Sequence, residues 1–295
     1  PMPPARPARR LAKSQAQHRR AAQMLPLGVS DTYRYWGDEG TLYVKRAKGA
    51  RIWDLDDNCY IDFRLGWGPI ILGYGDERVD AAARQGIEFG GVTALATALE
   101  ANVAELMVAM VPGIEQVRFA NSGSEAVATA LRVARAVSGR DGFVMVEGAF
   151  HGMFDSVLWR TQMETWNPAS GQPPEVLPFG RGVPLAHRDL VGVVPLNDAE
   201  ALRSLFKREG SRIGAFIIEP ILGNCCSIPA TQAYLQDVRA LCDEYGIVLI
   251  FDEVKTGFRV GRGGAQELYG VLPDLATFAK AMGNGYPIAA LGGKR

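Results

Sequence analysis

Apolar residues in the second half of the chain occur in continuous runs rather than in alternation with polar residues. Two of these runs, 213–220 (IGAFIIEP) and 247–253 (IVLIFDE), predict strands that are buried on both faces of a sheet. Between them, residues 231–246 carry apolar side chains at helical spacing and end at Gly246, a residue type favoured where helices end. Strands and helices that alternate in this way predict an α/β fold with a mainly parallel sheet sandwiched by helices.

The first half of the chain shows the same alternation, followed by one long interruption. Residues 161–190 are rich in proline, glycine and polar side chains, and they predict a long loop that is the best candidate for a mobile lid. Residues 1–25 are predicted to be helical after their prolines. The other predicted elements are strands at 117–120, 142–148 and 274–280, helices at 97–111 and 123–138, and two short strands within 51–63. Because ligands bind beyond the carboxyl ends of parallel strands, polar residues at those ends are candidates for function.

The composition of the 295-residue chain narrows the classes of partner. Lys plus Arg and Asp plus Glu both total 32, so we expect neither nucleic acid nor a membrane surface as a partner. No apolar run of the sequence is long enough to span a bilayer. The cysteines show neither metal-ligand spacing nor a disulfide framework, which predicts reduced thiols, a cytoplasmic protein and no metal site; they are Cys59, Cys225, Cys226 and Cys242.

A junction between a predicted strand and a predicted helix lies at Ser122, Gly123 and Ser124. Gly123 permits a tight turn, and the first N–H groups of the helix point outward between two hydroxyl groups. This arrangement predicts a cradle for a phosphate group, because the helix terminus supplies donors and partial positive charge. The alternative is an ordinary serine N-cap with a glutamate as its capping-box partner. The junction matches neither the Walker A sequence nor the GxGxxG sequence of dinucleotide-binding proteins.

A second candidate follows the strand at 142–148, where Phe150 and His151 stand between two glycines. The Phe150 ring could stack on a flat cofactor, and His151 could form a hydrogen bond near it. The alternative is a core phenylalanine and a structural histidine.

Asp252 raises a question of charge, because it ends an apolar strand where burial disfavours an ionised carboxylate. An ionised Asp252 needs a cationic partner, which is either an arginine such as Arg259 or the protonated ring nitrogen of a bound heterocycle. A protonated pyridine ring that faces an aspartate is the arrangement expected for pyridoxal phosphate.

Lys280 follows another apolar strand and precedes a glycine-rich turn. Poor hydration at this position should lower the pKa of the lysine and make its amine nucleophilic, and an ordinary surface lysine is the alternative. A phosphate cradle, a stacking ring, a carboxylate for a ring nitrogen and an amine for an aldehyde are together the parts of a pyridoxal phosphate site.

These residues belong to stretches that resemble a known family and occur in the family's order: 66–75, 117–136, 149–152, 217–224, 241–259 and 275–293. The chain is similar to the class III aminotransferases of pyridoxal phosphate fold type I (the aspartate aminotransferase-like fold), and within them to the glutamate-1-semialdehyde 2,1-aminomutase-like branch. The resemblance implies an N-terminal segment, 1–65, that contributes to a small domain and the substrate entrance, and a large cofactor-binding domain, 66–295. It also implies a homodimer and a C-terminal small domain that is absent from this chain.

The resemblance further implies a role for each matched residue. Lys280 matches the lysine that holds the cofactor covalently and then moves a proton, and Asp252 matches the partner of the pyridine nitrogen. Arg34, at the end of 28–34, matches an arginine for a substrate carboxylate, and Trp67 matches an aromatic residue of the substrate pocket. The other matched residues bind the cofactor: Ser122, Gly123 and Ser124 at the phosphate, Phe150 over the ring, Val254 under it, Asn224 at its phenolic oxygen, and Glu219 as a nearby acidic support.

Two departures from the family pattern bear on the reaction. Phe150 stands where the aminomutases have tyrosine, which weakens the case for an aminomutase. Asp31 and Thr32 stand where they have serine and proline, which implies an altered substrate pocket. We therefore predict a transaminase that exchanges an amino group between an amino compound and a keto acid or aldehyde in a ping-pong reaction. The alternatives are an aminomutase (an isomerase) or racemase on the same scaffold, and a non-catalytic member.

Overall fold

The computed structural model describes residues 10–162 and 174–295. The chain divides between Val92 and Thr93 into two compact units. The domain boundary predicted from the sequence, between residues 65 and 66, falls inside the first unit and stays a prediction. Among the described residues, no helix has the length and apolar content that crossing a bilayer requires.

The first unit contains a small antiparallel sheet. Its elements in the described residues are α1 (Ala12–Ala21), β1 (Val44–Lys48), β2 (Arg51–Asp54), β3 (Cys59–Ile61) and α2 (Glu77–Glu88), with the strand order β1-β2-β3. The buried carboxylate of Asp54 holds the turn between β2 and β3, since it accepts hydrogen bonds from the Asn58 N–H at 2.9 Å and from the Tyr60 hydroxyl at 2.8 Å. The two strands predicted within 51–63 and the helix predicted after the N-terminal prolines are confirmed.

The second unit is an α/β domain around one seven-stranded sheet. Its helices in the described residues are α3 (Ala98–Met110), α4 (Gly123–Ser138), α5 (Ala199–Glu209), α6 (Gln232–Tyr245) and α7 (Gly264–Tyr269). Its strands are β4 (Gln116–Ala120), β5 (Gly142–Val146), β6 (Trp159–Thr161), β7 (Val176–Pro178), β8 (Val191–Val194), β9 (Ile213–Ile218), β10 (Ile221–Leu222), β11 (Ile228–Pro229), β12 (Val248–Asp252), β13 (Leu275–Phe278) and β14 (Ala289–Gly293).

The main sheet has the strand order β4-β14-β13-β12-β9-β5-β8. Only β14 departs from the parallel direction, since it runs antiparallel to both β13 and β4. Asp252 on β12 pairs with Thr277 on β13, and Phe251 pairs with Ile218 on β9. These registers place the carboxyl ends of the three strands at the same edge. The mainly parallel sheet predicted from the apolar runs is therefore confirmed.

Alternate residues of the central strands face two buried cores on opposite sides of the sheet. On β9, Phe216 and Ile218 belong to the core that includes residues of α5 and α6. Ala215 and Ile217 belong to the other core, which includes residues of α4. Burial of a large apolar side chain contributes about 2 kcal/mol to folding. Because helices cover both faces, these strands are apolar at every position rather than at every second one.

The prediction of one long loop at 161–190 is wrong for part of that segment. β6 and β7 pair antiparallel along three residues each, and Leu185–Leu190 forms a 3₁₀ helix. Elements this short give no periodic apolar pattern, which is why the sequence did not indicate them. Residues 163–173, the centre of the predicted lid, lie outside the described residues.

Glu253, which follows β12, is held by the hydroxyl of Thr256 and by two backbone donors at the start of α7. It accepts hydrogen bonds from the Thr256 hydroxyl and the Ala265 N–H, both at 2.7 Å, and from the Gln266 N–H at 3.1 Å. Burial raises the pKa of Glu253, although these donors oppose the rise. Glu253 therefore ties the end of β12 to the start of α7.

We expect Gly264→Ala to destabilise the protein by about 3 kcal/mol. Gly264 has a φ of +71°, and a methyl group there would collide with the carboxylate of Glu253. Gly270, after the other end of α7, is the matched control, because its φ is +61° but the space around an added methyl group is open. Urea unfolding followed by circular dichroism measures the free energy of unfolding of Gly264→Ala and of Gly270→Ala. Equal losses would mean that backbone strain alone matters and that the contact with Glu253 contributes nothing.

Candidate active site

The predicted cofactor residues belong to the second unit and lie at or just after strand ends. Ser122–Ser124 follow β4, Phe150 and His151 follow β5, Glu219 follows β9, and Lys280 follows β13. Because the carboxyl ends of parallel strands meet at one edge, the sheet gathers residues that are far apart in sequence.

The carboxylate of Asp252 is buried and held by three donors. His151 Nδ1 lies 2.7 Å from Oδ2, while the Val254 N–H and the Thr277 hydroxyl donate to Oδ1 at 3.0 and 3.2 Å. Burial is the largest single influence and works against the charge of Asp252. The hydrogen bond and charge of His151, the Val254 N–H and the charge of Lys280 together outweigh it, so the pKa of Asp252 is lower than usual. His151 therefore takes the place, beside Asp252, that the sequence analysis offered to an arginine such as Arg259.

Lys280 lies two residues beyond β13 and begins a 3₁₀ turn, Lys280–Gly283. Its φ of +48° lies in the left-handed region, which costs a residue with a side chain roughly 1–2 kcal/mol. Burial and, after it, the charge of Lys255 lower the pKa of Lys280, while Asp252 and Glu219 act in the opposite direction. A strained, partly buried lysine with a lowered pKa fits a reactive amine better than an ordinary surface lysine.

Ser122 is the N-cap of α4, as the alternative interpretation of this junction expected. Its hydroxyl accepts a hydrogen bond from the Glu125 N–H at 3.2 Å, and the Glu125 side chain accepts one from the Asn121 N–H at 2.8 Å. A cap of this kind is compatible with anion binding. It leaves the N–H groups of Gly123 and Ser124, which have no partner within a helix, to face a ligand.

Two glycines hold the loops after β4 and β5 close to their neighbours. A methyl group at Gly123 would lie 3.0 Å from both side-chain methyl groups of Val254, and one at Gly152 would lie 2.6 Å from Ser124 Oγ. The Met153 N–H donates to the same Oγ at 3.1 Å. The two loops therefore form a narrow cradle that a larger residue would fill.

Glu219 organises the loop that carries Phe150. Its buried carboxylate accepts hydrogen bonds from the Phe150 N–H at 2.8 Å and from the Gly223 N–H at 3.2 Å. Lys255 Nζ lies 3.0 Å from Glu219 Oε2. Asn224, which follows Gly223, is exposed.

These residues fit a flat ring that carries a phosphate group. The cradle and the N-terminus of α4 suit the phosphate. Asp252 accepts three hydrogen bonds in the structure, and a carboxylate has about four acceptor positions, so one remains for the N–H of a ring. His151 Nε2 is buried and has no hydrogen-bond partner within the described residues, so a further polar group would complete its bonding.

In the first unit, Arg34 and Trp67 line one cavity of about 800 Å³. Tyr33 meets Trp67 edge to face, with the ring centres 5.8 Å apart. The guanidinium carbon of Arg64 lies 3.9 Å from the centre of the Trp67 ring and 5.1 Å from that of Trp36. The cavity thus combines aromatic surface with two guanidinium groups, which suits an organic carboxylate.

The sequence did not predict three side chains that belong to the candidate cofactor site of the second unit or to the cavity of the first unit. Thr277 gave a signal, because it is a hydroxyl residue within the apolar strand β13, but its contact with Asp252 depends on strand register. Lys255 and Arg64 gave none. Their contacts join residues that no sequence spacing relates, and only the fold reveals them.

Comparison with known proteins agrees with this geometry. The sequence model of the family "Aminotransferase class-III" matches residues 32–295. The chain is 41% identical over 285 residues to the glutamate-1-semialdehyde 2,1-aminomutase of Aquifex aeolicus (strain VF5), which covers 96% of this chain and 66% of that protein.

Solved structures give the same result. An omega-transaminase from Sphaerobacter thermophilus matches with a TM-score of 0.89 and 34% identity, over 98% of this chain and 64% of that chain. A transaminase with PLP bound matches with a TM-score of 0.89 and 32% identity, over 98% and 66%. The chain spans just under two thirds of the length of each of these relatives. The resemblance and the fold type inferred from the sequence are confirmed, and the chain belongs to the class III aminotransferase family.

Proposed function

We propose that the protein is a pyridoxal-phosphate-dependent transaminase that moves an amino group between an amino compound and a keto acid or aldehyde. The observation that carries the proposal is that one sheet edge brings together Lys280, whose backbone is strained and whose amine has a lowered pKa, and the buried carboxylate of Asp252. That one similar transaminase has PLP bound supports the choice of cofactor.

When bound, pyridoxal phosphate supplies an aldehyde that combines with amines and a ring that withdraws electrons. In the proposed assignment, the cradle at Ser122–Ser124 binds the phosphate, and Asp252 holds a proton on the ring nitrogen. Phe150 and Val254 would pack against the two ring faces, and Asn224 would donate to the phenolic oxygen. Glu219 keeps the Phe150 loop in place.

Lys280 has two tasks in this proposal. It would hold the cofactor covalently, and its free amine would serve as the base that removes a proton from the substrate carbon bearing the amine and as the acid that returns that proton. Both tasks need a neutral amine, which the lowered pKa of Lys280 favours. His151 and Thr277 fix the orientation of Asp252 and so the place of the ring proton. Ping-pong kinetics follow, because the amino group stays on the enzyme between the two substrates.

We expect Lys280→Ala to lose the covalent attachment of pyridoxal phosphate, because no other amine is expected to replace that of Lys280. Borohydride reduction followed by peptide mass spectrometry detects the attachment, with the exposed Lys207→Ala as the control. Asp252→Asn should retain the attachment in that assay. It should slow amino transfer, measured by steady-state kinetics, by about a hundredfold or more. Labelled peptide at another lysine in the wild type, or an unchanged rate in Asp252→Asn, would remove the corresponding assignment.

An aminomutase is the second candidate, because 41% identity relates the chain to a glutamate-1-semialdehyde 2,1-aminomutase. Phe150 lacks the hydroxyl group that the aminomutases of this family have at the matched position, and this favours transamination. The two reactions differ in their need for a second substrate. A transaminase requires an external carbonyl acceptor for turnover, whereas an aminomutase turns over with one substrate alone. The intact Lys280 and Asp252 argue against a non-catalytic member.

We propose that the substrates include a carboxylate-bearing amine, and that Arg34 binds its carboxylate. The Arg34 guanidinium lines the cavity of the first unit, where it also donates to Ser30 Oγ at 3.3 Å, and Trp67 lines the same cavity. A guanidinium group binds a carboxylate through charge-assisted hydrogen bonds.

Arg34→Ala should raise the KM for a carboxylate-bearing amine about tenfold or more, and should change the KM for a neutral amine little. Arg46→Ala is the matched control, since Arg46 is likewise an exposed arginine of the first unit but stacks on Trp53 and does not line the cavity. Steady-state kinetics with both classes of amine provide the measurement. Equal changes for the two amines would show that Arg34 does not read the carboxylate.

A homodimer and a cytoplasmic location complete the proposal. On α3, Leu99 and Leu106 are 66% and 58% exposed, and Leu95, just before the helix, is 82% exposed; Met107 is the buried residue of α3 within the described chain. An apolar helix with so little of its surface covered fits an interface with a second copy. Analytical ultracentrifugation that finds only monomers at micromolar concentration would contradict the dimer.

The proposed cytoplasmic location rests on the thiols. All four cysteines are free, which fits a compartment where thiols stay reduced.

A further inference from the structure

Lys255 is a second lysine of the candidate active site. Its side chain is 18% exposed, and Nζ lies 3.0 Å from Glu219 Oε2. Nζ also lies 5.8 Å from the centre of the Phe150 ring, within the range of a cation–π interaction. The ammonium group of Lys255 is therefore confined between a buried carboxylate and the face of the aromatic ring.

The stem of the Lys255 side chain is confined as well. A methyl group at Gly223 would collide with Cδ and Cε of Lys255, so the stem lies directly against the Gly223 backbone. The N–H of Gly223 donates to Glu219, the same carboxylate that pairs with Lys255. Gly223 thus positions both partners of the ion pair, and the charge of Lys255 has little freedom to move away into solvent.

Asp252 on β12 pairs with Thr277 on β13, and Lys255 and Lys280 each lie three residues beyond these paired positions. A methyl group at Gly123 would contact both preceding residues, Val254 at 3.0 Å and Ala279 at 3.6 Å, so the two segments lie side by side.

Within the described residues, four charged groups act on Lys280. The charges of Lys255 and Arg259 oppose a proton on its amine, and those of Asp252 and Glu219 favour one. Burial is the largest influence and lowers the pKa of Lys280, and Lys255 is the next largest. Asp252 is also paired with a partner of its own, His151.

We propose that Lys255 is a positioning residue that controls how readily Lys280 gives up its proton, and that Glu219 limits this control. The physical basis is repulsion between two ammonium groups at a partly buried site, where the low dielectric constant strengthens charge interactions. The inference rests on the proposed role of Lys280, because a neutral amine matters only if Lys280 attacks or accepts a proton. Lys255 itself needs no contact with substrate.

A purely structural role makes a different expectation. If Lys255 only neutralised Glu219, removal of either partner would loosen the same loop, and both changes would shift the behaviour of Lys280 in the same direction. The proposed electrostatic role requires opposite directions, because Lys255 repels the proton of Lys280 and Glu219 attracts it. The sign of the two effects therefore separates the explanations.

The test measures how acetylation of Lys280 by trace acetic anhydride depends on pH. The full chain is first treated with hydroxylamine, which removes bound carbonyl compounds, and acetylation is then quantified by peptide mass spectrometry. Lys207 on α5 is exposed and serves as the internal reference. We expect the midpoint for wild-type Lys280 to lie below that of Lys207. Lys255→Met should raise the Lys280 midpoint by about one pH unit, Lys255→Arg should leave it near the wild-type value, and Glu219→Gln should lower it.

An unchanged midpoint in Lys255→Met, or shifts in the same direction in Lys255→Met and Glu219→Gln, would overturn the inference. Lys255→Gln replaces the methionine variant if that variant does not fold. The proposed function is tested separately, by reduction of the pyridoxal phosphate adduct. Attachment at Lys280 with midpoints that do not respond to Lys255 would reject this inference alone. Responsive midpoints without attachment would reject the proposed function while the electrostatic coupling stands.

Discussion

The candidate site depends on one buried interaction, the contact between Asp252 and His151. A carboxylate at the end of an apolar strand loses its hydration, and an unpaired charge of this kind typically costs about 3–5 kcal/mol. The structure offsets this cost with a histidine, a hydroxyl group and a backbone N–H, which come from the segment after β5, from β13 and from the segment after β12. No single segment could supply all three donors. The ionised carboxylate therefore depends on the observed register of the sheet, which brings the three donors together.

The same edge of the sheet concentrates the other charges of the second unit's site. Glu219 and Lys255 form a second ion pair, and Lys280 lies within the influence of both pairs. The strands behind this edge are apolar on both faces, so the charges lie against protein of low dielectric constant, which strengthens their interaction. Fixed charges in such a place act on a reacting group without the reorganisation that water would need. The apolar sheet thus strengthens the electrostatics of its own polar edge.

The sequence predicted those parts whose signal is local. The strands β9 and β12 are continuous apolar runs, and Lys280 and Asp252 were conspicuous because each follows or ends such a run. β14 escaped notice, because Ala289–Gly293 consists of small residues with low strand propensity and forms a strand through pairing on both sides. Contacts such as the one between Lys255 and Glu219 depend on tertiary structure, and no spacing in one sequence encodes them.

The reversed direction of β14 has a consequence for Lys280. After a parallel strand, the chain usually crosses to the far end of the sheet through a helix. A residue that follows such a strand is then held by the sheet only on the side where the strand ends. Here residues 279–288 connect two antiparallel neighbours, β13 and β14, and both of these strands are hydrogen-bonded within the sheet. The backbone of Lys280 therefore belongs to a short connection that is held in place at both ends. Its amine must reach its targets by rotating the side chain alone, while the main chain stays in its left-handed conformation.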